Sequence, residues 1–282
     1  MTGRGSKREI SEKALQRRDP ADQGAIFGVS RQEVVDRLRA AGCVFAEEEA
    51  GLIADAARTP DELDAFTARR VGGEPLEYVL GWAEFCGLRI RVEPGVFVPR
   101  QRTAFLVERA IALIPGSEHP VVVDLCCGSG AIGAALAHRL PRIALSATDI
   151  DQASVRCART NIVGNVFQGD LYDALPGSLR GAVDLLVANA PYVPTGSIAT
   201  MPREARLHEA RASLDGGLDG LDLHRRIAAT ASAWLRPGGH LLIETSDEQA
   251  DRTAGILALA GLTVTVAHSD EFDATVVTGA RA

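Results

Sequence analysis

The hydrophobic pattern changes along the chain, and its clearest part begins near residue 120. The segments Val121–Leu125, Ala144–Thr148 and Val183–Ala188 are mainly apolar and lead into glycine, acidic or amide residues. Such runs are typical of parallel strands that are buried on both faces. Segments with helical spacing of apolar residues separate them, and this alternation predicts an α/β fold with a parallel sheet.

Four further strands complete the predicted sheet. They are expected at Val166–Leu171, His240–Glu244, Thr263–Ala267 and Ala274–Thr278. The last two form a predicted antiparallel hairpin that closes the sheet, because alternating apolar residues flank a short polar turn. The pattern therefore predicts seven strands in one domain, over residues 99–282.

The pattern before residue 99 is different. Residues 1–25 are polar and carry charges of both signs, which predicts a disordered tail. Residues 26–73 contain three amphipathic segments with helix-start signals, such as Thr59 followed by Pro60. We interpret them as a small helical substrate-docking domain, although a purely structural role fits the helices equally well. Residues 74–98 are expected to form a linker and a β-hairpin.

Composition narrows the class of protein. The chain has 282 residues, of which 46% are hydrophobic, so a sizeable core is expected. The net charge of −7 argues against a nucleic-acid partner bound through a broad basic face. The five cysteines have no CxxC spacing, which favours reduced thiols and a cytoplasmic protein. The histidines lack metal-ligand spacing, and no apolar run is long enough to span a membrane, so neither a metal nor a membrane is expected.

The candidate functional residues lie at the ends of the predicted strands, where ligands bind in open α/β sheets. The first strand contains Asp124 and runs into the glycine-rich turn Cys126–Gly130, a cradle that permits close approach of a nucleotide-like ligand. Gly128, Gly130 and Gly133 also match the dinucleotide fingerprint of dehydrogenases. The turn alone therefore does not distinguish a dehydrogenase from another enzyme that binds a nucleotide-like ligand. Asp149 ends the second strand, where an acid can accept hydrogen bonds from ribose hydroxyls.

The fourth strand runs directly into Asn189-Ala190-Pro191-Tyr192. An amide nitrogen is a poor nucleophile because its lone pair is delocalised, so it must be held in line while its two N–H bonds are accepted. The Asn189 side-chain oxygen can accept one bond and the Ala190 carbonyl the other, while Tyr192 packs on the flat acceptor. The structural alternative is a simple strand-to-loop turn.

These motifs resemble those of known methyltransferases. Asp124-Leu-x-x-Gly-x-Gly resembles the first motif of class I S-adenosylmethionine (SAM) methyltransferases, and residues 189–192 resemble the (Asn/Asp)-Pro-Pro-aromatic motif of enzymes that methylate a planar –NH2 group. Upstream, Pro75-Leu-Glu-Tyr-Val-Leu-Gly81 and Val96-Phe-Val-Pro-Arg100 are similar to the HemK/PrmC family. Its members methylate a glutamine side-chain amide in proteins, chiefly in the Gly-Gly-Gln loop of peptide-chain release factors.

The resemblance is to a divergent branch of that family. Ala190 stands where the family has a proline, and the family's Pro-Arg-Pro-Glu-Thr-Glu is here Pro99-Arg-Gln-Arg-Thr-Ala104. The resemblance implies a Rossmann-like, seven-stranded class I domain that uses SAM. The catalytic segment would be Asn189, Ala190, Pro191 and Tyr192, with Phe97, Arg100 and Tyr192 at the acceptor. The residues expected to bind SAM are Asp124, Cys126, Cys127, Gly128, Ser129, Gly130, Asp149, Ile150, Asp170, Leu171 and Asn189.

The expected function is therefore SAM-dependent methylation of a glutamine side-chain amide in a protein, such as a release factor or a ribosomal protein. Two alternatives remain open at the level of sequence. A nucleic-acid methyltransferase is one, because the exocyclic amines of adenine and cytosine present the same planar –NH2. The other is an inactive SAM-binding paralogue, which the motif departures would allow.

Overall fold

The computed structural model of the chain describes residues 31–114, 118–140 and 142–282. The predicted tail and the start of the predicted helical domain, residues 1–30, lie outside the described residues. The chain divides into two compact units between Leu80 and Gly81. This boundary falls inside the segment 74–98, for which the sequence predicts a linker and a hairpin.

The first unit is helical. It contains α1 (Arg31–Ala40), α2 (Ala46–Ala56), α3 (Pro60–Val71) and a short α4 (Leu76–Leu80) in place of the first part of the predicted linker. Thr59 caps α3 because its hydroxyl accepts a hydrogen bond from the backbone N–H of Glu62 at 3.2 Å. Apolar residues of α1, α2 and α3 form one core, and Glu49 and Arg70 make a buried, two-point ion pair beside it, with N–O distances of 2.6 and 3.1 Å.

The second unit opens with a β-hairpin. Strand β1 (Trp82–Phe85) pairs antiparallel with β2 (Leu88–Arg91). The two residues between them, Cys86 and Gly87, have φ values of 51° and 77°. The left-handed backbone allows the tight reversal, and it needs a glycine at only one of the two positions.

A seven-stranded sheet forms the centre of this unit, in the order β5-β4-β3-β6-β7-β9-β8. The pairs among the first five are parallel, and β9 is antiparallel to both β7 and β8. The predicted α/β class with seven strands is confirmed. The strands are β3 (Val121–Leu125), β4 (Ala144–Asp149), β5 (Asn165–Gln168), β6 (Val183–Ala188), β7 (Leu235–Thr245), β8 (Thr263–Ser269) and β9 (Ala274–Ala280).

Helices cover both faces of the sheet. Adjacent residues of β3 point to opposite sides: Val122 joins a core with the helices Ala104–Ala112 and Ala131–Arg139, whereas Val123 joins a core with the helix Asp222–Trp234. This arrangement explains why the strands are apolar at nearly every position. The helices of this unit are α5 (Ala104–Ala112), α6 (Ala131–Arg139), α7 (Gln152–Asn161), α8 (Arg203–His208), α9 (Asp222–Trp234) and α10 (Ala250–Leu259). Within the described ranges, no helix has the length and hydropathy needed to cross a membrane.

The direction of strand order reverses between β3 and β6, which lie side by side with Leu125 opposite Ala188. Such a switch point opens a crevice at the carboxyl ends of the strands. The glycine-rich turn after β3 and the segment that begins at Asn189 after β6 therefore flank the same crevice. Each of them follows a strand whose last four residues are buried.

Candidate active site

A cavity of about 710 Å³ lies at this edge of the second unit, a volume within the usual range for small-molecule sites. It brings together most of the residues singled out from the sequence. Those that line it are Phe97, Arg100, Cys126, Cys127, Gly128, Ser129, Asp149, Ile150, Asp170, Leu171, Asn189, Ala190, Pro191 and Tyr192. Asp124 and Gly130 do not line it.

Asp124 and Gly130 stabilise the turn without facing the cavity. Asp124 has no exposed surface, and its carboxylate accepts a hydrogen bond from the backbone N–H of Gly133 in α6 at 3.0 Å. Burial raises the pKa of Asp124 to about 7. Gly130 begins α6 with φ of 80°, and a Cβ there would lie 2.8 Å from the side chain of Ile162. Both residues therefore position the backbone that faces the cavity.

The two cysteines of the turn contribute small, neutral side chains. Burial raises the pKa of Cys126 and of Cys127, and the nearby carboxylates of Asp124 and Asp149 raise them further. Neither thiol is a thiolate at neutral pH, so neither is an activated nucleophile. Cys126 has φ of 55°, which turns the backbone at the end of β3 toward the cavity.

Asp149 is held by the turn itself. One carboxylate oxygen accepts the backbone N–H of Gly128 at 2.8 Å and the other accepts the N–H of Asp151 at 2.9 Å. A carboxylate can accept about four hydrogen bonds, so each oxygen keeps capacity for a hydroxyl in the cavity. Burial raises the pKa of Asp149, while the two backbone donors act in the opposite direction. This geometry fits the ribose of SAM.

Asp170 and Leu171 follow β5, which ends at Gln168 rather than at Leu171 as the sequence predicts. Both residues still line the cavity, with Leu171 in a left-handed conformation at φ of 50°. One oxygen of Asp170 accepts a 2.7 Å hydrogen bond from Arg226 of α9. The carboxylate keeps acceptor capacity for an adenine amine, so these two residues also fit SAM.

At the end of β6, the side chain of Asn189 is oriented by its neighbours. Its amide nitrogen donates to the hydroxyl of Thr103 at 3.1 Å, and the buried carboxylate of Glu244 also interacts with this side chain. Because these donors face protein acceptors, the amide oxygen of Asn189 is left for a donor in the cavity. No residue in the described part of the chain donates to the carbonyl of Ala190. Two hydrogen-bond acceptors therefore stand next to each other.

Tyr192 is fixed at both ends. Its hydroxyl accepts a hydrogen bond from Nη2 of Arg102 at 2.7 Å, and its carbonyl accepts one from the side chain of Gln249 at 3.0 Å. Burial raises the pKa of Tyr192, so the phenol is neutral. The ring is thus a rigid, uncharged surface against which a flat group can pack.

Arg100 and Phe97 belong to a wall of the cavity. The Arg100 guanidinium lies 4.8 Å from the ring centre of Phe97 and forms an ion pair of 2.5 Å with Glu209, whose side chain is buried. The segment from Val193 to Leu218 contains α8 and two short 3-10 segments. The pair with Glu209 ties this loop to the segment before α5.

Several residues of the site were missed by the sequence reasoning, namely Arg102, Thr103, Arg226, Glu244 and Gln249. Glu244 carried the signal that identified Asp149, since it is an acid near the carboxyl end of a central strand. The others have no local signal and are brought in by long-range packing. No group of three or more His, Cys, Asp or Glu side chains suited to a metal ion occurs among the described residues.

Comparisons with known proteins agree with this geometry. Residues 87–218 match the family model "Methyltransferase small domain". The chain is 39% identical over 210 residues to the release factor glutamine methyltransferase of Geobacter sulfurreducens, which covers 72% of each protein. It is 36% identical over 233 residues to the 4-amino-L-phenylalanine/4-methylamino-L-phenylalanine methyltransferase of Streptomyces pristinaespiralis, covering 71% of this chain and 79% of that one.

The fold matches a solved structure, the 16S rRNA N2 G1207 methyltransferase of T. thermophilus, with a TM-score of 0.50 and 19% identity over 71% of this chain and 50% of that one. At this level of identity the likeness concerns the fold alone. The sequence similarity shows the family as well as the fold, because the identity is 39% over 72% of the length of the relative from Geobacter sulfurreducens. The chain belongs to the HemK/PrmC family of release factor glutamine methyltransferases.

Proposed function

We propose that this enzyme transfers a methyl group from SAM to the side-chain amide nitrogen of a glutamine in a protein, with a peptide-chain release factor as the first candidate substrate and a ribosomal protein as the second. The observation that carries the proposal is the pair of adjacent acceptors, the Asn189 amide oxygen and the Ala190 carbonyl, at the edge of a cavity that fits SAM. A planar –NH2 group has two N–H bonds to satisfy, and these acceptors match it.

The residues proposed to hold SAM are the turn 126–129 at the methionine end, Asp149 at the ribose, and Asp170 with Leu171 at the adenine. When bound, SAM supplies a methyl group on a positively charged sulfur, which a nitrogen lone pair can attack. Cys126 and Cys127 line that end of the cavity with small, uncharged side chains.

Positioning is the main contribution of the chain's own residues. Asn189 and Ala190 would hold the acceptor amide by its two N–H bonds, with its lone pair toward the methyl group, and Tyr192 would pack on its plane. A new N–C bond forms as the S–C bond breaks, and the nitrogen then releases a proton. A nitrogen that carries the positive charge is strongly acidic, so a weak acceptor such as water suffices and no general base is required.

The position of Thr103 and Glu244 supports this arrangement. Their contacts fix which side of the Asn189 amide faces the cavity, a choice that a free asparagine would leave open. Ala190 is only 1% exposed and packs in the core, which restrains its backbone in the absence of a proline ring. Alanine supplies the same carbonyl as proline, although it lacks the fixed φ.

The experiment is methyl transfer from labelled SAM to a purified release factor, with the labelled residue located by peptide mapping. Asn189→Ala is expected to abolish transfer while SAM binding, measured by calorimetry, changes little. Asn165→Ala, in an exposed position of β5, is the matched control and should retain activity. Normal turnover by Asn189→Ala would refute the mechanism. Label found in nucleic acid would favour the nucleic-acid alternative.

A further inference from the structure

The cavity has a cationic group at its acceptor end. The Arg102 side chain lines the cavity and is 46% exposed. Its Nη2 donates to the hydroxyl of Tyr192 at 2.7 Å and its Nε lies 3.5 Å from the carboxylate of Glu244. No partner for Nη1 occurs in residues 31–114, 118–140 and 142–282. The guanidinium is therefore anchored on one side and keeps N–H groups for a ligand.

The other arginines of the cavity are already paired. Arg100 has an ion pair of 2.5 Å with the buried Glu209, and Arg226 has one of 2.7 Å with Asp170. The contact between Arg102 and Glu244 is longer, at the upper limit for a hydrogen bond. Among the described residues that line the cavity, Arg102 is thus the cation best placed to bind an anion.

We propose that Arg102 binds a carboxylate of the acceptor, close to the nitrogen that is methylated. This inference rests on the proposed function and defines the acceptor class of the same site. The carboxylate is an Asp or Glu side chain next to the acceptor glutamine, or the terminal carboxylate of a chain that ends in that glutamine. A planar guanidinium suits a carboxylate because it can donate two parallel hydrogen bonds.

The location of Arg102 explains how one residue can select and position an acceptor. Arg102 directly precedes Thr103, whose hydroxyl contacts Asn189. The guanidinium of Arg102 itself contacts Tyr192, which lies in the segment after β6. A carboxylate bound by Arg102 would therefore lie beside the ring on which the amide packs. In this half-exposed site the attraction is screened in part by water and salt, so the effect should weaken as ionic strength rises.

The test uses matched pairs of short peptides. One pair carries Gly-Gln-Asp or Gly-Gln-Asn, a second carries Asp-Gln-Gly or Asn-Gln-Gly, and a third ends in glutamine with a free or an amidated carboxyl group. The value of kcat/KM is measured for each with wild type, Arg102→Lys and Arg102→Met. Arg142→Met removes an exposed arginine outside the cavity and controls for net charge. Peptide binding is also measured by calorimetry in the presence of S-adenosylhomocysteine.

For wild type and Arg142→Met, we expect at least one acidic peptide to exceed its neutral partner about tenfold, the lower end for a hydrogen bond to a charged group. The first two pairs and the third separate the two sources of carboxylate. The ratio should fall toward one in Arg102→Met and remain partly in Arg102→Lys, with the difference mainly in KM. Equal values for all three pairs in wild type would overturn the inference while the proposed function stands.

Two further outcomes separate the inference from the function on which it rests. If neither the peptides nor a purified release factor is methylated, the proposed function fails, and the calorimetric ratios alone decide whether Arg102 binds a carboxylate. If Arg102→Met retains the full wild-type preference in either measurement, another group selects the acidic acceptor and the inference is wrong. SAM binding by each variant shows that the cavity has remained folded.

Discussion

Gly220 offers a direct test of how tightly the acceptor segment is positioned. It has φ of 76°, and a Cβ added there would approach the carbonyl oxygen of Tyr192 and the side-chain nitrogen of Gln249 to less than 3.0 Å. Relief of that overlap requires the Tyr192 backbone to move by about 1 Å, since carbon atoms pack at ~3.5 Å or more. Gly220→Ala should therefore displace the residue on which the acceptor packs.

The expected magnitudes follow from two separate costs. Alanine in a left-handed conformation costs about 1 kcal/mol, and overpacking against fixed backbone adds about 1–3 kcal/mol. Gly220→Ala should lower the free energy of unfolding by roughly 2–4 kcal/mol. A misplacement of about 1 Å near the chemistry can lower the rate about 100-fold, so kcat should fall by that order.

Gly181 provides the matched control. Its φ is 69°, similar to that of Gly220, but nothing lies within 4 Å of an added Cβ. Gly181→Ala should lose only about 1 kcal/mol and keep its kcat. The assays are urea unfolding and methyl transfer at saturating SAM and acceptor. If the two variants were alike in stability and in kcat, close contact at Tyr192 would not be what positions the acceptor.

Two further predictions concern buried titratable groups. Glu244→Gln keeps the shape of the side chain but removes the charge that accepts hydrogen bonds beside Asn189; kcat should fall about 10- to 100-fold, with the Kd of SAM nearly constant, and a wild-type kcat would exclude the positioning role. His224 has no exposed surface, and burial, then the charge of Arg225, lower its pKa to about 4. The unfolded chain binds this proton below pH 6.5, so between pH 6.5 and 4 the wild type should lose about 3 kcal/mol relative to His224→Gln. Asp124 makes stability change with pH in the opposite direction, and the comparison with the variant cancels that contribution. A pH-independent difference in unfolding free energy between the two proteins would contradict the reasoning.

Much of the fold could be predicted because the physical causes are local. The run from Val121 to Leu125 is mainly apolar because β3 is covered on both faces, and the glycine-rich turn after it needs φ values that few other residues adopt. The error at β5, which ends at Gln168, has a local cause too. The segment Val166–Leu171 has apolar residues at both ends, but Leu171 has a φ of 50°, a conformation that does not belong to a strand.

The part of the site that faces the ligand could be located for a similar reason. Parallel strands bring their carboxyl ends to one edge, so Asp149, Asp170 and Asn189 are expected together once the strands are assigned. Asp124 is different, because it lies one residue before the strand ends and thus points into the core. A motif position that accompanies ligand binding need not touch the ligand.

The residues that orient the ligand-facing side chains could not be derived from the sequence, because their contacts join positions far apart in the chain. Asn189 is oriented by Thr103 and Glu244, which lie on either side of it by more than 50 residues, and no local pattern links the three. The same holds for Arg102. As a departure from the family motif, Arg102 suggests only a loss of activity. Its contact with Tyr192 instead places it beside the expected acceptor. A substitution at such a position changes what the cavity can bind while the residues that perform the transfer stay in place, which is how one family can keep its chemistry and change its acceptor.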